Sequence, residues 1–158
     1  MREQIILMGM DILQPAVALM IWTMIMWAWM YATRIPAMSK APDIEAPAKM
    51  VGSVGADLRA KLPASVNWKA DNYNHLHEAP TVFYAVAIVL AIVGHGDGQN
   101  ALLAWIYTGL RVAHSVVQVT ANRVMVRFVL FALSSVVLIV LIAKAAMVVF
   151  SGGSEIQT

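Results

Sequence analysis

The sequence contains no cysteine. Disulfide bonds, thiolate metal sites and a nucleophilic protein thiol are therefore excluded, and any sulfur nucleophile must arrive on a substrate. Charge is also scarce, since only 13% of the 158 residues are charged and the formal net charge is +2. No concentrated basic face carries interleaved aromatic residues, so we expect no nucleic-acid partner.

Hydrophobic residues are abundant instead, at 60% of the chain, and they form long uncharged runs. This composition is typical of an integral membrane protein. We predict an all-α fold with four spans, each long enough to cross a hydrocarbon core of about 30 Å. The predicted spans are residues 5–33, 72–93, 101–122 and 124–150.

The first span admits an alternative interpretation as a cleaved signal peptide. The apolar part of a signal peptide is usually about 7 to 15 residues long. The uncharged run from Ile12 to Thr33 is longer and ends in an aromatic cluster, which favours a retained span. Pro15 removes one backbone hydrogen bond and is expected to kink this helix.

Residues 34–71 are punctuated by proline and glycine, which predicts a long loop with one short amphipathic helix near residues 56–62. Lysine and arginine are concentrated in this loop and at the turn between the third and fourth spans. Because cytoplasmic loops carry the excess of basic residues, we place the loop in the cytoplasm and both termini on the opposite side. Residues 151–158 are expected to form a mobile tail.

Polar side chains interrupt the third span within LRVAHSVVQVTANRVMVR, residues 110–127. Arg111, His114 and Gln118 follow each other at helical spacing and therefore share one face. An unpaired arginine within the membrane costs free energy, because its charge loses contact with water. Glu78 lies at a similar depth in the second span. We predict an ion pair between Glu78 and Arg111, which either locks the two helices together or forms part of a polar cavity.

The other polar residues of this stretch leave two interpretations open. His114 and Gln118 either hydrogen-bond between helices or contact a ligand. Arg127, at the start of the fourth span, either anchors the membrane interface or belongs to an anion or thiolate site.

No metal site is predicted. His75 and His77 are separated by one residue, so their side chains project to opposite sides of a helix and cannot jointly hold a metal. The sequence also contains no glycine-rich phosphate loop, nucleophilic serine elbow or metalloprotease motif.

Two stretches carry a family resemblance. YTGLRVAHSVVQVTANRVMVRF, residues 107–128, resembles the third helix and the start of the fourth in the MAPEG proteins, the membrane-associated proteins in eicosanoid and glutathione metabolism. NYNHLHEAPTVFY, residues 72–84, is similar to the second-helix motif of a bacterial branch of that family. The resemblance implies a four-helix bundle protomer that assembles with itself as a homotrimer among the lipids of a bacterial inner membrane.

The resemblance also implies a function, which is transferase or peroxidase chemistry with glutathione as co-substrate and a lipophilic small molecule as substrate. Arg127 would be the catalytic residue that stabilises the glutathione thiolate. The glutathione site would be formed by Arg34, Asn74, Glu78, Arg111, His114 and Gln118. Asp71, Asn74 and His75 stand where the catalytic branches carry arginines and an asparagine. The alternative is a non-catalytic membrane protein that uses the same fold to bind lipid or a partner.

Overall fold

The computed structural model describes residues 9–41 and 55–151. All regular secondary structure in these two ranges is helical, which confirms the all-α prediction. Three predicted features lie wholly or partly outside the described residues: the beginning of the first span, part of the loop over residues 34–71, and the mobile tail. The helices are α1 (Leu13–Lys40), α2 (Gly55–Lys61), α3 (Ala64–His75), α4 (Ala79–Ile92), α5 (Gln99–Thr120) and α6 (Val124–Ser151).

Pro15, which was expected to kink the first span, lies at the beginning of helix α1. The helix begins at Leu13, so Pro15 lies in the first turn, where a backbone N–H has no intrahelical acceptor to lose. The Pro15 carbonyl accepts a hydrogen bond of 3.1 Å from the Thr108 hydroxyl of α5. The helix then continues to Lys40, so Arg34 lies on α1 instead of in a loop.

The second predicted span consists of two helices, α3 and α4, with a break at residues 76–78. Pro80 explains the break, because its ring would clash with the Leu76 carbonyl four residues earlier and it has no N–H to donate. A proline in the first turn of α4 is compatible with the start of a new helix. The region predicted as a loop therefore contains α2 and most of α3.

Three helical segments are long and apolar enough to cross a membrane: α1, the α3–α4 segment over residues 64–92, and α6. Helix α5 has 22 residues but is not among these candidates. Its polar side chains are buried against the other helices, because α5 packs on α1, α3 and α6. Together with the exposed apolar faces of α1 and α6, these features define a helical membrane protein.

The core lies between α1, α4, α5 and α6. Phe83 of α4 and Tyr107 of α5 stack with their ring centroids 4.4 Å apart, and both are fully buried. The largest fully buried aliphatic side chains of this core are Ile12, Leu19, Met26, Leu90 and Leu141.

A glycine-rich turn between α4 and α5 packs against the beginning of α1. The Asp97 carboxylate accepts hydrogen bonds from the backbone N–H of Gly9 at 2.7 Å and of Asp11 at 3.2 Å, so it caps the entry to α1. Gly96 is buried there, and a Cβ atom at this position would lie 1.9 Å from the Gly9 carbonyl oxygen. The close backbone approach therefore requires glycine at 96.

Replacing Gly96 by alanine is expected to lower the free energy of unfolding by about 2 kcal/mol, because the obstructing atoms belong to the backbone and cannot rotate away. The measurement is unfolding of the detergent-solubilised protein, followed by circular dichroism. Gly109→Ala in α5 is the matched control, because nothing lies within 4 Å of its Cβ position. Equal stability of the two variants would contradict this account of the turn.

Candidate functional site

The helix break at residues 76–78 interrupts the regular hydrogen bonding at the end of α3, where the Asn74 carbonyl accepts a hydrogen bond of 2.9 Å from the His77 N–H. Arg111 reaches this end of α3 from α5, and its Nη2 atom donates a hydrogen bond of 2.7 Å to the His75 carbonyl. Arg111 is only 2% exposed. A buried cation at a helix C-terminus is stabilised by the carbonyl oxygens and by the helix dipole.

The predicted ion pair between Glu78 and Arg111 is therefore wrong. Among the described residues, an ion pair of 2.6 Å joins Arg59 to Asp71, whereas no contact within 4.0 Å joins Glu78 to Arg111. Glu78 occupies the N-cap position of α4 without a side-chain capping hydrogen bond, and it is exposed. In a continuous helix, the His75 carbonyl would accept a hydrogen bond from the backbone N–H four residues later. At the break, it accepts one from Arg111 instead.

Helix α5 also holds the His75 side chain. The His75 Nδ1 atom lies 3.1 Å from the Gln118 side-chain oxygen, so Arg111 and Gln118 contact the backbone and the ring of the same residue. His75 was not among the site residues predicted from the sequence, where it was considered as a metal ligand and as a departure from the family motif. Pro80 was the available signal, because it predicts a helix break directly after His75.

His114 and Arg127 form a second connection, between α5 and α6. The His114 Nδ1 atom lies 3.1 Å from the Arg127 carbonyl oxygen. Because a carbonyl only accepts, Nδ1 carries the hydrogen and Nε2 is the acceptor of the neutral ring. His114 is 5% exposed, and its Nε2 has no partner among the residues that the structure describes.

The Arg127 guanidinium is held by the turn that precedes α6. Its Nη1 atom donates to the Asn122 side-chain oxygen at 2.5 Å, while its Nε atom is buried without a partner within the described ranges. Asn122 has φ of 48°, a left-handed conformation that asparagine tolerates better than most residues. The turn thus fixes the guanidinium and leaves part of it available.

A network of hydrogen bonds between uncharged side chains joins α5 to α1 and α3. The Ser115 hydroxyl accepts hydrogen bonds from Trp22 Nε1 at 2.9 Å and from Asn72 Nδ2 at 2.8 Å. One serine therefore joins α1, α3 and α5. Ser115 and Asn72 are fully buried, so this network fixes the position of α3 relative to α5.

Two cavities meet at the helix break. The deep cavity has a volume of about 330 Å³ and combines charged residues with an apolar wall from α6; it is lined by His75, Glu78, Arg111, His114, Val124, Arg127, Phe128 and Phe131. The polar cavity has a volume of about 500 Å³ and is lined by Arg59, Trp68, Asp71, Asn74, His75, Glu78, Gln118, Asn122 and Arg127. His75, Glu78 and Arg127 line both, so these three residues form the junction.

A side cavity of about 270 Å³ adjoins the polar cavity and shares Arg59, Asp71 and Asn74 with it. Arg34 lines this side cavity only. The predicted site residues therefore fall into three groups: Arg111 and His114 lie in the deep cavity, Asn74 and Gln118 in the polar cavity, and Glu78 and Arg127 in both. Arg34 does not share a cavity with Arg127.

The fold and the site define an all-helical membrane protein with a polar, cationic site at the edge of a largely apolar helix assembly. The model of the MAPEG family matches residues 12–147, and the chain belongs to this family. The match includes every helix described above except the end of α6. Neither a curated protein nor a solved structure matches the chain in the corresponding searches.

Proposed function

We propose that this protein is a glutathione-dependent transferase or peroxidase that acts on lipophilic substrates. The observation that carries the proposal is the junction of a polar cavity with a partly apolar one at Arg127. Two such compartments suit a reaction between a hydrophilic thiol and a lipophilic electrophile, and a cation where they meet stabilises the negative charge on sulfur.

The polar cavity offers groups that complement glutathione, which carries an amino group, two carboxylates and two amides. Asp71 and Glu78 are acceptors for an ammonium group, and the Asn74, Gln118 and Asn122 amides both donate and accept. Its volume of about 500 Å³ lies within the range of small-molecule sites. The adjoining side cavity adds Arg34 as a counter-charge for a carboxylate.

The deep cavity offers a place for the lipophilic substrate. Val124, Phe128 and Phe131 form its apolar wall, and all three are exposed on the surface of α6. A substrate dissolved in the bilayer can therefore approach this wall without crossing water. At the inner end, Arg111 and His114 provide hydrogen-bonding groups for a polar atom of the substrate.

Arg127 is the proposed catalytic residue. A guanidinium beside a thiol favours the negatively charged thiolate and lowers the pKa of that thiol. The Arg127 Nε atom has no partner in the described part of the chain, whereas Nη1 is fixed by Asn122. The side chain is thus oriented in advance and keeps a donor free for sulfur.

The proposed setting is the inner membrane of a bacterium, with both termini outside the cytoplasm and the Arg127 end of the helices facing the cytoplasm. We further propose a four-helix bundle protomer within a homotrimer. The exposed apolar side chains of α6, including those beside the deep cavity, support burial against lipid or a neighbouring copy.

The test is calorimetric titration of glutathione into the detergent-purified protein. We expect saturable binding that weakens at least about tenfold in Arg127→Ala, the equivalent of about 1.4 kcal/mol. Arg123→Ala is the matched control, since Arg123 is exposed in the same turn and lines none of the three cavities. No binding at millimolar glutathione would contradict the proposal and favour the non-catalytic alternative, in which the cavities hold lipid.

A further inference from the structure

We propose that His75 is the proton acceptor for the thiol co-substrate. This inference rests on the proposed glutathione-dependent function and supplies a group which that chemistry needs. Arg127 can stabilise a thiolate, but a guanidinium is permanently protonated and cannot take the proton from the thiol. A base beside Arg127, at the junction of the two cavities, can take this proton directly.

His75 occupies this position. It lines both cavities together with Arg127 and Glu78. Its ring lies 6.2 Å from the His114 ring, centroid to centroid, and His114 Nδ1 is in turn 3.1 Å from the Arg127 carbonyl oxygen. His75 is half-buried, so the ring is packed on one side and open to a ligand on the other.

The contacts of His75 determine which ring nitrogen is the acceptor. The Gln118 side-chain oxygen, 3.1 Å from Nδ1, accepts a hydrogen bond, so Nδ1 carries the hydrogen. The Nε2 atom is then the basic nitrogen of the neutral ring. Arg111 fixes the His75 backbone through the carbonyl, so α5 orients the residue at both ends. Gln118 is accordingly a positioning residue.

Other bases near the junction fit the role less well. The charged and titratable groups that line the two cavities around His75 are Arg59, Asp71, Glu78, Arg111, His114 and Arg127. Asp71 is paired with Arg59. His114 lines only the deep cavity and is absent from the polar one. Glu78 lines both cavities, but no hydrogen bond orients its carboxylate within the described ranges, and carboxylates are weaker bases than imidazole.

The S–H bond of glutathione breaks, the proton forms a bond to His75 Nε2, and sulfur keeps the electron pair as a thiolate beside Arg127. The thiolate forms a bond to an electrophilic carbon of the substrate, whose displaced electron pair moves to a neighbouring atom. That atom takes the proton from His75 Nε2, which returns the ring to its neutral form without an external oxidant or reductant.

The test compares His75→Gln with His77→Gln. His77 is an exposed histidine two residues away, bonded to the Tyr73 carbonyl at 2.8 Å, and it lines none of the three cavities. We expect His75→Gln to bind glutathione within about threefold of the wild-type affinity and to lose the ultraviolet absorbance of the bound thiolate at neutral pH. The variant should add glutathione to an α,β-unsaturated carbonyl compound about 100-fold more slowly. Turnover should recover as the pH is raised, because hydroxide then removes the thiol proton. His77→Gln should match the wild type in all four readouts.

Two further variants keep the proposal falsifiable. Gln118→Leu leaves the His75 ring in place without its orienting acceptor, and we expect about a tenfold loss of turnover at saturating glutathione. Because Gln118 and Glu78 also line the glutathione cavity, both variants are compared with the wild type at saturating glutathione. Under that condition Glu78→Gln should still form the thiolate. Unchanged absorbance and turnover in His75→Gln, or their loss in Glu78→Gln alone, would overturn the role of His75 while leaving the glutathione-dependent function intact. Failure of the wild-type protein to bind glutathione would overturn both.

Discussion

Replacing Arg111 by alanine is expected to lower the free energy of unfolding by about 2–3 kcal/mol, since the variant removes a charged donor from a buried carbonyl. Arg111 Nη2 is 2.7 Å from the His75 carbonyl oxygen, and the arginine is 2% exposed. The truncation removes the donor of the His75 carbonyl and leaves a void beside Phe131, whose ring centroid lies 5.9 Å from the guanidinium carbon.

The effect of Arg111→Ala should be local as well as global. Because the arginine fixes the end of α3, we expect faster hydrogen exchange of the backbone amides at residues 76–82, measured by mass spectrometry on the detergent-solubilised protein. Arg111→Lys retains a single charged donor and should recover part of the stability. Arg123→Ala, at an exposed position, is the control. Unchanged exchange at the break in Arg111→Ala would contradict the capping role.

The spacing of polar residues along α5 predicted much of this arrangement. Arg111, His114 and Gln118 follow the helical period, and all three are buried on the face that meets α3 and α6. The alternation of long apolar segments with turns likewise predicted the helical class. These features are readable because they depend on local periodicity, which the sequence displays directly.

The partner of Arg111 could not be read from periodicity. An opposite charge at equal depth in the membrane favours Glu78 as the partner of Arg111. The partner in the structure is a backbone carbonyl. Every residue has such a carbonyl, so the amino-acid sequence does not single it out. Pro80 marked the break, but the identity of the exposed carbonyl depends on how α3 and α5 pack. For the same reason, His75 was not recognised as a site residue: its two hydrogen bonds to side chains of α5 come from positions 36 and 43 residues away in the sequence.

Arg127→Ala is expected to reduce the turnover of glutathione with a lipophilic electrophile by about 100-fold to 1,000-fold, the range observed when one preorganised charge-stabilising donor is removed. The thiolate carries its full negative charge before the carbon–sulfur bond forms, so Arg127 stabilises it in the bound complex as well as in the transition state. We therefore expect the glutathione affinity and kcat of Arg127→Ala to fall together. The measurement is steady-state kinetics in detergent micelles over a range of glutathione concentrations.

The contacts of Arg127 allow its charge and its orientation to be separated. Arg127→Lys keeps the positive charge but lacks the planar group that Asn122 holds through Nη1, so it should recover only part of the activity.

Asn122→Gly keeps the left-handed backbone, with φ of 48°, and removes the side chain whose oxygen accepts the hydrogen bond from Arg127. We expect about a tenfold loss of kcat in Asn122→Gly with little change in stability, because the guanidinium stays but is less ordered. Equal activity of Arg127→Ala and Arg123→Ala would contradict the catalytic role of Arg127 and make it an interfacial anchor. The thiolate would then depend on another cation. Arg111 is the other arginine that lines the deep cavity.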